Sequence, residues 1–233
     1  MKKIIEESLK DNNPLSKNIL TIKYSLVQGS YWAVFCAVIG YASPFLISRD
    51  FTSVEIGVII ACGNILSVIL QPLIAAMADK SKRMKLHFLS AIIAVGALFA
   101  LVLLLAVPGS FYISAGLFIS ILTISGILMP MINSLSVKLI NKGYHVNYGV
   151  ARGIGSLCYA VVSYLLGYLI NIFGENIIIT TALILYSAVV LSLLIFKPPA
   201  NNISSEASLS ENDMNAQKGS SIAVFAKSYK RFY

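Results

Sequence analysis

Six long stretches of this chain, at 26–47, 54–78, 88–107, 111–135, 154–171 and 177–196, contain a single charged residue, Glu55, at the edge of the second. A helix rises about 1.5 Å per residue and the hydrocarbon of a bilayer is about 30 Å thick, so roughly 20 residues cross it. All six stretches are of about that length. The strict apolar/polar alternation of a barrel strand is absent, which argues against a transmembrane β-barrel. Only 12% of the residues are charged while 57% are apolar, where a soluble domain carries about a quarter charged residues. The expected fold is an all-α membrane protein with six transmembrane helices.

The first stretch is too long for the apolar core of a signal peptide, follows a charged tail and lacks a small-x-small cleavage site before Arg49. It is retained as a helix. Lys and Arg resist translocation, so their distribution orients the chain. Lys2, Lys3, Lys10, Lys17 and Lys23 precede the first stretch, Lys80, Lys82, Arg83 and Lys85 follow the second, and Lys138 and Lys142 follow the fourth. The opposite side has Arg49 alone. Further cations follow the sixth stretch, at Lys197, Lys218, Lys227, Lys230 and Arg231. The expectation is a multi-pass protein of the cell membrane with both termini in the cytoplasm. Topology thus accounts for the net charge of +8, and no nucleic-acid partner is expected. Cys36, Cys62 and Cys158 have neither metal-ligand spacing nor a pairing framework.

Four segments follow. Residues 1–23 form a cytoplasmic tail and 24–196 a six-helix bundle; 197–224, rich in Asn, Ser, Glu and Ala, has the composition of a flexible cytoplasmic loop. The last residues, 225–233, are basic and aromatic, and are expected to approach a seventh span beyond Tyr233; the alternative is a tail lying on anionic lipid.

Asp79 sits among Lys80, Lys82, Arg83 and Lys85, a carboxylate at a helix end beside cations that can latch one helix to another or can simply belong to a positive-inside loop. The run from Ala75 to Arg83 resembles the signature cytoplasmic loop of the major facilitator superfamily, glycine-x-x-x-aspartate-arginine/lysine-x-glycine-arginine. Ala75 and Lys82 stand at its two glycines, while Asp79, Lys80 and Arg83 are in register. Gly40-Tyr-Ala-Ser-Pro-Phe45, Ile56-Gly-Val-Ile and Leu70-Gln-Pro-Leu73 resemble segments of the oligosaccharide/proton symporter family within it. The resemblance implies the N-terminal half of a twelve-helix transporter, a coupling proton, no other cofactor, a second six-helix half as partner, and a conformational gate at Asp79, Lys80 and Arg83.

Arg152, in Tyr148-Gly-Val-Ala-Arg152-Gly-Ile-Gly-Ser156, stands where the fifth stretch begins. A charge at such a position either faces a polar cavity or reaches back to the surface. The resemblance implies the first: sugar-binding members place an arginine here that bonds substrate, and seven residues on an aromatic ring for the sugar to stack on, which is Tyr159. With Ser156 and Ser163 these residues form one helical stripe, and a planar fork of donors beside an aromatic face suits a hydroxylated ring. The carboxylate that the family sets opposite falls at Ser134, beside Asn133, and neither can be negative. Asn133 can bond a hydroxyl across the cavity or knit two helices.

In the first stretch Tyr24, Gln28, Tyr31 and Phe35 share a face, with Trp32 beside it. Gln28 and Tyr31 are expected to line the cavity; Asn64 is a weaker candidate. Gly149-x-x-x-Gly153 and Ser163-x-x-x-Gly167 are expected points of close helix approach. No acid lies at mid-depth, so the proton relay should reside in the second half and this stretch alone should not complete coupled transport. Intramembrane catalysis would need paired acids, a His cluster or an activated nucleophile, and His87 and His145 fall in expected loops. The expected function is proton-coupled symport of a small sugar or oligosaccharide through Arg152, Tyr159, Gln28, Tyr31, Asn133 and Ser156. The alternatives are an exporter of drugs or other amphipathic compounds, and a channel or receptor half.

Overall fold

The computed structural model describes residues 14–80, 86–106 and 111–196, with side chains placed from Ile19 onward and, in the second span, as far as Met77. The early tail, Arg83, the expected loop at 197–224 and the segment 225–233 therefore lie outside the described residues, as do the side chains of Asp79 and Lys80.

The described residues are helical throughout their long elements. The first span is α1 (Pro14–Phe35), a π-helical turn over Cys36–Gly40 and α2 (Ala42–Ile47). The remaining spans are α3 (Ser53–Lys80), α4 (Leu86–Ala106), α5 (Phe111–Ile140), α6 (Tyr148–Phe173) and α7 (Ile177–Ile195). Five of them, α3 to α7, are long and apolar enough to cross a membrane; the first apolar stretch is instead shared between two helices that break at Tyr41, whose φ of −111° and ψ of 19° leave the helical region. Pro44 in the first turn of α2 suits the restart, because its absent N–H has no helical carbonyl to meet there.

Local signals fix the ends. Thr52 and Glu55 form a capping box at the start of α3: the Thr52 amide donates to Glu55 Oε2 at 2.8 Å, and the Glu55 amide to Thr52 Oγ1 at 3.4 Å. Asn147 Oδ1 accepts from the Val150 amide at 3.1 Å, so α6 starts at Tyr148, six residues before the uncharged stretch. Gly174, with φ of 74°, ends it.

Packing pairs α1 with α6 and α7, α3 with α5, and α4 with α5 and α7. The buried face of α4 is Ser90, Ala91, Ala94, Ala97, Leu101 and Leu104, a helical spacing of small residues that lets α5 and α7 come close. Half of the most apolar stretch of α5 is buried, against 6% in α6 and 17% in α3. The apolar surface of those two helices is left largely uncovered by the described residues. His87, expected in a loop, lies in the first turn of α4 and is buried, its ring 6.4 Å from that of Phe196.

Interior polar groups are tied across helices. Tyr186 is fully buried with its hydroxyl 2.5 Å from that of Ser125, and the hydroxyls of Ser30 and Ser192 meet at 3.0 Å. Pro130 in α5 has no N–H for the Gly126 carbonyl four residues back, and Gln71 Nε2 of α3 donates to that carbonyl at 3.1 Å. Gly126 is itself needed there, because a Cβ would run into the Ser67 side chain.

Candidate substrate site on α1, α5 and α6

Arg152 stands in the second turn of α6, and its guanidinium carbon lies 3.7 Å from the centroid of Trp32 on α1. This is a cation stacked on the aromatic face that holds it best. The indole fits because position 155 is glycine: a Cβ there would fall 2.6 Å from Trp32 Cδ1. Phe35 packs against the same indole with ring centroids 5.0 Å apart, and Tyr31 meets it edge-on at 5.7 Å.

A chain of hydrogen bonds fixes the indole from its other edge. Trp32 Nε1 donates to Gln28 Oε1 at 3.0 Å; Gln28 Nε2 donates to Tyr24 Oη at 2.7 Å and to Asn133 Oδ1 at 2.9 Å. Tyr24 Oη in turn donates to the Ile132 carbonyl of α5 at 3.3 Å. Gln28 is therefore fully buried with its carbonyl and both amide hydrogens engaged. Nη1 of Arg152, by contrast, is buried without a hydrogen-bond partner.

The structure brings together Arg152, Gln28 and Asn133 of the expected residues, through Trp32, but Gln28, expected to line the cavity, is fully buried and supports the indole from within the bundle. Tyr31 departs from expectation. It is 1% exposed, and its hydroxyl donates to the Ser125 carbonyl at 2.9 Å, so it holds α1 to α5 inside the core and lines no opening. A helical wheel puts Tyr31 on the face of Tyr24 and Gln28, but the packing of α5 decides what that face meets.

Tyr159 is half-buried two turns further along α6, and the missing Cβ of Gly40 leaves room for its hydroxyl, which would otherwise lie 3.1 Å away. Ser156 is exposed and donates to the Arg152 carbonyl at 3.3 Å. The Ser134 hydroxyl turns back to the Pro130 carbonyl at 2.8 Å. Asn64 is exposed. The expected small-residue contacts are partly elsewhere: nothing approaches Gly153, whereas Gly155 meets Trp32, Gly29 meets Cys158, and Gly167 meets Tyr41, whose hydroxyl donates to the Ser163 carbonyl at 2.6 Å. The residue that sequence reasoning under-weighted is Trp32, the chain's one tryptophan, four residues after Gln28.

A concavity of about 540 Å³ opens between α3 and α5, lined by Val68, Pro72, Leu86, Pro130, Met131 and Lys138 among others. Among the described residues no group of three or more His, Cys, Asp or Glu could hold a metal ion. Residues 21–230 match the family model described as the MFS_1 like family. Neither the curated proteins nor the solved structures give a match.

Proposed function

The chain belongs to the MFS_1 like family, within the major facilitator superfamily, and from that premise we propose that this membrane transporter chain moves a small hydroxylated solute, a sugar or oligosaccharide, by proton-coupled symport. The observation that carries the reading is the stacked pair of Arg152 and Trp32, fixed by Gln28 of α1 and, through it, by Asn133 of α5. A donor fork with an unbonded nitrogen suits hydroxyl or oxyanion acceptors, and buried second-layer bonds hold its aromatic support in place. Tyr159 and Ser156 would extend the contact surface along α6.

In this proposal the exposed faces of α3 and α6 meet a second six-helix bundle, and the two rock about the site. Asp79, Lys80 and Arg83 would latch the cytoplasmic side, and the bundle would lie in the cell membrane with both ends in the cytoplasm. Proton-gradient-driven uptake into vesicles that hold the chain together with its second six-helix bundle tests the proposal. Uptake should fall at least about tenfold in Arg152→Ala and Trp32→Ala, the order expected for loss of a bonded charge; uptake that both variants leave unchanged removes the site assignment. The apolar concavity between α3 and α5 favours a second reading, an exporter of amphipathic compounds. Efflux of a hydrophobic dye that sugars fail to inhibit would select it.

A further inference from the structure

The side-chain oxygens of the network that holds Trp32 each already have a hydrogen-bond partner. Gln28 Oε1 takes the indole N–H, Asn133 Oδ1 takes the Gln28 amide, and the Tyr24 hydroxyl is held between Gln28 and the Ile132 carbonyl. Acids give no more help. Among the acids whose side chains are described, Asp50, Glu55 and Glu175 all stand at helix ends, and the Glu55 carboxylate is bound to Thr52. Glu175 lies beyond the far end of α6, about 35 Å of helix from Arg152.

A charge partly withdrawn from water is costly unless paired, and an oxyanion is the partner whose geometry a guanidinium fork matches. The indole covers one face of the fork, and at its edge Nη1 is buried without a bond, a donor that an entering acceptor would satisfy. A neutral sugar would bring hydroxyls to that edge but leave the charge uncompensated.

We infer that Arg152 receives an anionic group, a carboxylate or a phosphate, so that the solute is a hydroxylated acid. The inference rests on the transport proposal and narrows its substrate class.

Trp32 supplies the probe, since its emission is the only tryptophan signal of the chain. The full chain in lipid nanodiscs would be titrated with glucuronate, glucose 6-phosphate and glucose. Expected is a saturable change with at least one of the two anions, at a dissociation constant about tenfold or more below that for glucose; which anion binds distinguishes carboxylate from phosphate. Arg152→Gln should erase the advantage of the anion, and Arg152→Lys should restore part of it. Equal affinity for glucose and the anions, or silence towards both anions, overturns the inference; the second result is also what an acid supplied by another bundle would give. The wild-type comparison stands even if a variant fails to fold. Glucuronate that binds but is not taken up even when the chain is joined to its second six-helix bundle sinks the transport proposal and leaves the subsite intact. Gradient-driven glucose uptake indifferent to Arg152→Gln does the opposite.

Discussion

Gln71 donates the amide hydrogen that Pro130 lacks: its Nε2 lies 3.1 Å from the Gly126 carbonyl, whose helical partner four residues on is a proline. Gln71→Leu should therefore cost about 1 kcal/mol in detergent unfolding, the net worth of such a bond. Pro130→Ala returns an N–H to Gly126, so the same Gln71→Leu change should cost much less in that background. Strict additivity of the two substitutions would refute the link.

Two glycines two residues apart on α6, on different faces of the helix, should respond in opposite ways. Gly155→Ala forces a Cβ to 2.6 Å from Trp32 Cδ1 and should destabilise by about 1–3 kcal/mol, with a shift in tryptophan emission as the indole moves off Arg152. At Gly153 nothing lies within 4 Å, and Gly153→Ala should leave emission unchanged and stabilise by up to about 1 kcal/mol. Thermal unfolding with fluorescence detection reads both.

Tyr31→Phe removes only the bond to the Ser125 carbonyl. Stability should drop by about 1 kcal/mol while solute affinity stays within twofold. A large loss of affinity with unchanged stability would restore Tyr31 to the binding surface.

The spans were legible because hydrocarbon demands length and lack of charge, both visible in a linear chain. The break near Tyr41 was not, since the apolar run continues unbroken through Gly40 while the backbone turns. Arg152 stood out as a cation beginning an apolar stretch, but its partner Trp32 lies 120 positions earlier, and periodicity within α1 says nothing about which helix covers which face. Gly155 could be recognised only with the indole in place. The Gln71–Gly126 bond had a visible half: a proline inside an apolar span always frees a carbonyl four residues back, and a nearby span holding Gln supplies a candidate donor.

Sidedness tests the account most directly. In a background with Cys36, Cys62 and Cys158 replaced by alanine, Asn141→Cys in the α5–α6 loop and Ser53→Cys at the start of α3 would be treated with a membrane-impermeant thiol reagent on intact cells. Labelling at position 53 at once, and at position 141 only after permeabilisation, is the predicted result. Labelling of 141 from outside, or of both residues alike in a chain recovered from the soluble fraction, would contradict it.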